Sequence, residues 1–248
     1  VVLVWAAVRG EAADAWRTRN FWFHMSRSTV GLAGMTLSFA ALADLPLADW
    51  TVIGFTMPIF ATILAAALLN EPVGPWRAGA VVVGFAGVLV VIGPKLSFDH
   101  AMPSLLMLAS ALFAGMVIVI IRRISLVENG SAIAFYFMLA CTLAGGATLP
   151  FAWKEPEGWA LVLLIASGVF GGLGQVFNTF AYARGQPSML GPFDYLALIW
   201  AVVIGVLVFD DWPDLSVLIG AAIIVGSGVV IAVRERQLGL QKARIPSV

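Results

Sequence analysis

Val81-Val-Val-Gly-Phe-Ala-Gly-Val-Leu-Val-Val-Ile92 carries no polar side chain at any spacing. A half-buried strand alternates polar with apolar residues, and a helix on a water-facing surface keeps a polar stripe at a 3.6-residue period. This run does neither, so it reads as a helix whose whole circumference meets an apolar medium. Ala61–Leu69 reads the same way. A membrane β-barrel, whose strands alternate lipid-facing and lumen-facing residues, is excluded by both runs. A hydrocarbon core about 30 Å thick needs roughly 20 apolar residues of helix. Extending outward, eight stretches qualify: 22–43, 47–69, 76–94, 102–121, 131–153, 159–183, 188–209 and 214–233. Turn chemistry or charge separates them, as at Asp44-Leu-Pro46, Asn70-Glu-Pro72, Gly93-Pro94, Glu128-Asn-Gly130, Gly185-Gln-Pro187 and Asp210-Asp-Trp-Pro213.

The whole chain agrees with its decisive segment. Of 248 residues, 61% are hydrophobic and 11% charged, and mean hydropathy is +0.98. A soluble domain has about 25% charged residues and needs a polar skin. Soluble enzymes, nucleic-acid binders and disordered tails are therefore excluded. Fourteen basic residues balance fourteen acidic ones, leaving no basic face for nucleic acid. The one cysteine, Cys141, forms no internal disulfide and no cysteine-built metal cluster.

Basic residues divide by side of the membrane. Arg9, Arg17, Arg19, Arg27, Arg77, Arg122, Arg123, Arg184, Arg234, Arg236, Lys242 and Arg244 fall on one side, and Lys95 and Lys154 on the other, a 12:2 split. The richer side is expected to be cytoplasmic, with the C-terminus on it, in a multi-pass protein of the inner membrane. Eight of nine tryptophans lie near span ends, where an interfacial belt is expected, and Trp200 is mid-span. Val1–Val8 are apolar and stop at Arg9, too few to cross a bilayer. With no basic leader before them, they read as the end of a helix, and roughly 35–50 further residues are expected before Val1.

Shifting the sequence by 140 brings Gly31 onto Gly171, Gly34 onto Gly174, Ala41 and Ala43 onto Ala181 and Ala183, and Phe55 onto Tyr195. Asn70-Glu71 meets Asp210-Asp211. One residue later in offset, Gly79-Ala80 meets Gly220-Ala221 and Gly87-Val88 meets Gly228-Val229. The offset spans five helices, an odd number, so equivalent points stand on opposite sides of the membrane. Inverted repeats of this kind give secondary transporters two similar halves, each able to close one entrance.

The run Ala40-Ala-Leu-Ala-Asp-Leu-Pro-Leu-Ala-Asp49, then Phe55-Thr-Met-Pro58, Leu69-Asn-Glu-Pro72 and Gly79, resembles the first EamA domain of the drug/metabolite transporter superfamily. Phe180-Ala-Tyr-Ala183, Phe209-Asp-Asp-Trp-Pro-Asp214 and Gly220-Ala-Ala-Ile-Ile-Val-Gly-Ser-Gly228 resemble the second. The segment Pro192-Phe-Asp-Tyr195 is similar to that of riboflavin and S-adenosylmethionine carriers. Two departures stand out: Asp211 where the family usually has Glu, and Asn70 where Gly is more usual. The resemblance implies an all-α membrane bundle of two inverted five-helix repeats. Here 1–94 would be the remnant of the first repeat, 102–233 the second and 234–248 a cytoplasmic tail. About eight full spans remain, the first helix and most of the second being absent. It also implies transport of a small organic metabolite, without a cofactor.

Polar groups inside spans are costly and become site candidates. Asp194 stands about 10 Å into the span beginning near Pro187, at 1.5 Å per residue, just after Gly191-Pro192. It suits a proton or a cationic substrate, or else a carboxylate capped by nearby backbone. Gln175 and Asn178, three apart, share a helix face. Their amides suit a heteroaromatic ring, or else glue between helices. Tyr195, Trp200 and Phe55 offer stacking or plain packing. Thr56 with Pro58 marks a kink, a feature that frames some transporter sites. Arg27, near a span end, is expected to snorkel to the interface, with capture of an anion as the alternative. Gly168, Gly171, Gly172 and Gly174 are expected at a close helix contact. His24 and His100 fall in different loops, with no metal-ligand spacing. Ser227 has no nearby base, and no phosphate-binding loop is present. The expected partners are the bilayer, a small-molecule substrate and a coupling proton, and no nucleic acid. A non-transporting assembly protein and an intramembrane enzyme are the rival readings.

Overall fold

The computed structural model describes residues 16–18, 20–69, 75–92, 98–152, 155–184 and 196–244, with Leu3, Val4 and Ala7. Among them there is no strand. The helices are α1 (Phe21–Leu42), α2 (Leu47–Gly54), α3 (Met57–Leu69), α4 (Pro75–Ile92), α5 (Phe98–Ile124), α6 (Gly130–Ala152), α7 (Trp159–Arg184), α8 (Leu196–Phe209) and α9 (Leu215–Arg244). Leu47–Leu68, Ala101–Ile124, Gly130–Phe151 and Trp159–Ala181 are long and apolar enough to cross a membrane. Ala78–Ile92, Ile199–Phe209 and Leu215–Val230 are shorter apolar helices. Large apolar side chains point outward along them, with Phe151 91% and Leu207 78% exposed. An outer surface of that kind fits hydrocarbon and not water.

The sequence punctuation acts locally. α1 closes where the Asp44 and Leu45 amides both return to the Ala41 carbonyl, at 3.2 and 3.0 Å, and Pro46 then starts α2. The span expected over 47–69 is two helices. Pro58 has no amide hydrogen for the Gly54 carbonyl, and its ring crowds that carbonyl. The helix therefore stops at Gly54 and restarts at Met57, with Phe55 and Thr56 in the turn between.

The chain folds as two compact units: residues 1–32 with 120–185, and residues 33–119 with 186–248. In the first, α6 packs on α7 around Ala134, Val176 and Phe180. In the second, Val52, Ile53, Val88, Val91, Val217 and Ile224 form the core. The most extensive pairing there is α4 with α9, the helices whose Gly79-Ala80 and Gly220-Ala221 coincide in the repeat. Lipid tails are as apolar as leucine, so membrane helices associate through close packing, which small residues permit. A Cβ on Gly220 would meet Val91 and stand 2.9 Å from the Gly87 carbonyl oxygen, and one on Gly87 would stand 2.8 Å from Ile224. Gly115 of α5 plays the same part against α3, where a Cβ would lie 2.8 Å from the Ala61 nitrogen. Three glycines of α7 do not. At Gly168, Gly171 and Gly174 an added Cβ meets nothing within 4 Å, which corrects the close contact expected of them.

Candidate functional site

In the first unit the opening turns of α1 place His24, Arg27, Ser28 and Gly31 at i, i+3, i+4 and i+7, one face of the helix. This face is polar and buried: His24 is 0%, Arg27 2% and Ser28 3% exposed. His24 is helical, not in a loop as the sequence suggested, and His100 likewise lies within α5. Glu128 comes to His24 from the turn between α5 and α6. Its amide donates to the Ile124 carbonyl at 2.9 Å. The next residue, Asn129, caps α6, its side-chain oxygen accepting from the Ser131 amide at 3.3 Å.

Glu128 Oε1 accepts from the Thr18 hydroxyl at 3.0 Å and from the Asn20 amide at 3.1 Å. Its Oε2 lies 3.5 Å from His24 Nε2, near enough for an ion pair with a protonated imidazole, though not aligned as a hydrogen bond. The imidazole stacks on Tyr136, with centroids 4.6 Å apart, and the Tyr136 hydroxyl donates to the Trp16 carbonyl at 2.9 Å.

Arg27 does not snorkel. Its Cζ sits 3.6 Å over the centre of the Phe137 ring. At that distance the guanidinium plane runs roughly parallel to the ring, since an edge-on approach would drive a nitrogen into it. Gly31 makes room, because a Cβ there would stand 2.8 Å from Phe137 and 3.1 Å from Arg27 Nη1. Arg27 Nε and Nη1, both His24 ring nitrogens and Ser28 Oγ have no hydrogen-bond partner among the described residues. A cation–π contact contributes about 0.5–2 kcal/mol. Burying an ion costs several kcal/mol. The ring therefore offsets only part of the cost, and Nε and Nη1 are left buried without an acceptor among the described residues.

The residues singled out in the sequence fall differently. Asp194 and Tyr195 lie outside the described residues. In the first unit, Gln175 is half-buried and its amide donates to Thr179 Oγ1 at 3.2 Å, while Asn178, on the same helix face, is exposed. In the second, Thr56 is fully buried and its hydroxyl donates to the Ile53 carbonyl at 2.7 Å. Phe55 packs on the core beside it, and Trp200 of α8 is 64% exposed. An apolar groove of about 670 Å³ runs between α4 and α9, lined by Trp76, Gly79, Val83, Ile223 and Gly226 among others. Its one hydroxyl, on Ser227, donates to the Ile224 carbonyl at 2.8 Å, which leaves the Trp76 indole N–H as the one side-chain donor of a mainly apolar lining.

The EamA-like transporter family matches residues 1–93 and 101–233 of this chain. A riboflavin transporter of Brucella anthropi is 31% identical over 230 residues, covering 89% of this chain and 80% of that protein. One from Vibrio cholerae is 32% identical over 231 residues, covering 92% and 77%. An S-adenosylmethionine uptake transporter of Rickettsia felis is 28% identical over 221 residues, covering 89% and 75%. A protein crystal structure 22% identical in sequence shares the fold, with a TM-score of 0.66 over 96% of this chain and 84% of the other.

Proposed function

The chain belongs to the EamA-like transporter family, and we propose that it carries a small organic metabolite across the cytoplasmic membrane. The solute would pass by alternating access between two inverted repeats, 1–94 and 102–233, with 234–248 a cytoplasmic tail. The observation that carries this reading is the family match to both copies of a sequence whose internal offset inverts them. Relatives named for riboflavin and for S-adenosylmethionine point to a flat, heteroaromatic, polar solute. Asp194 would hold its polar or cationic part or a coupling proton. Tyr195, Trp200 and Phe55 would stack, and Gln175 and Asn178 would meet ring heteroatoms. Thr56 marks the helix break, a feature that frames some transporter sites.

The test is uptake into proteoliposomes. Labelled riboflavin and labelled S-adenosylmethionine are offered first, then a metabolite panel chosen by thermal-shift screening, with and without a proton gradient. Saturable, protein-dependent accumulation or exchange of a solute supports the reading. Flux equal to that of empty liposomes for every stabilising solute overturns it.

A further inference from the structure

Among the described residues, the buried side-chain atoms without partners gather in one place, on the His24–Arg27–Ser28–Gly31 face of α1. Glu128, the carboxylate beside this face, is turned to His24, Thr18 and Asn20. Arg27 keeps two donors unmet at 2% exposure. Phe137 covers one face of the guanidinium and leaves its edge, where the N–H groups point in a planar fork. Nε and Nη1 do not share an edge; each forms a fork with Nη2, and such a fork matches a carboxylate or a phosphate, which accepts two parallel hydrogen bonds in the same plane. The Ser28 hydroxyl, one residue along the same face, is a third donor without a partner.

The second copy of the internal repeat lacks these groups. At the offset of 140, Leu164, Ser167, Gly168 and Gly171 stand in the places of His24, Arg27, Ser28 and Gly31. The second copy builds a helix without a charged or ionisable group at any of the four positions. The glycine is common to both copies, but in the second it has open space around it, while Gly31 admits Arg27 and Phe137.

We infer that this face of α1 is an oxyanion site, where Arg27 and Ser28 bind a carboxylate or phosphate group of the transported solute. This rests on the transport reading for the word transported; the binding itself does not. It adds to the proposed path an anion-binding anchor on α1.

The test is thermal unfolding of the purified chain in a nonionic detergent, titrated with sodium acetate or inorganic phosphate at ionic strength held constant with chloride. Once the anion is several-fold above its Kd, the wild type is expected to gain about 2–4 °C, saturably. Arg27→Gln abolishes the gain, and Arg27→Lys, which keeps charge but loses the fork, needs about tenfold more anion. A response to acetate alone assigns a carboxylate, and one to phosphate alone a phosphate. No saturable gain in the wild type overturns the proposal, as does an equal gain in Arg27→Gln. If Arg27→Gln does not fold, Arg27→Lys decides, and an unchanged midpoint overturns it. A gain seen only with phosphatidylglycerol overturns it in favour of a lipid headgroup. Anion binding without solute flux would count against transport and leave this site standing; flux without anion binding would do the reverse.

Discussion

Glu128 engages three groups at once: the Thr18 hydroxyl, the Asn20 amide and the His24 ring. Removing it takes the carboxylate from the half-buried Thr18 hydroxyl and leaves the Asn20 amide only Thr18 Oγ1, and hydrogen bonds to a charged partner contribute about 1.5–3 kcal/mol. Glu128→Ala is therefore expected to destabilise the protein by about that much, measured by unfolding in detergent. Glu128→Gln keeps an acceptor for Thr18 and Asn20 and should lose less. At Asp194 the expectation is functional. Asp194→Asn is nearly isosteric and should insert normally but transport at least about tenfold more slowly, equivalent to about 1.4 kcal/mol. If the carboxylate carries a proton, the variant still exchanges solute across equal gradients and ignores ΔpH. If it binds a cationic group, exchange fails too. Normal flux across pH 5–8 in that variant would reduce Asp194 to structure. The residue scale is also where the sequence was hardest to read. Arg27 sits near a span end in the sequence, and its stacking on Phe137, 110 residues away in the chain, is not written in its neighbourhood.

Among the elements, two breaks follow directly from sequence. Pro58 splits the 47–69 span, and Asp210 ends α8 with φ of 55° while the Asp211 amide returns to the Gly205 carbonyl at 3.0 Å. Aspartate is among the few residues with a side chain that accept that left-handed backbone. Which glycines lie at helix contacts was not legible, because every span is rich in small residues. The repeat marked Gly87 and Gly220 only as equivalent to other glycines; the fold presses them against the facing helix. Gly220→Val should overpack the α4–α9 contact and cost about 1–3 kcal/mol. Gly171→Ala, with nothing within 4 Å of the new methyl, should be neutral or mildly stabilising. Unfolding midpoints of the two variants check the contrast, and an equal loss in both would contradict the assigned contact.

For the molecule as a whole, the basic residues predict its orientation. With twelve of fourteen on one side, the C-terminus should face the cytoplasm. A C-terminal alkaline phosphatase fusion is expected to be inactive and a green fluorescent protein fusion bright; the opposite pattern would also undo the inverted assignment of the repeats. The all-helical membrane class is legible along the chain, since a run such as Val81–Ile92 has no polar face to give to water. The family is legible there too, because short motifs recur in order in both copies. That α4 and α9 pair through Gly87 and Gly220, and that the polar face of α1 is enclosed beside Glu128, Tyr136 and Phe137, emerges from the fold alone. The reason is physical. Burial in an apolar medium is written in composition, which any local window reports. The partner of a buried charge is set by which distant helix packs against it, and neither spacing nor hydropathy along the chain encodes that contact.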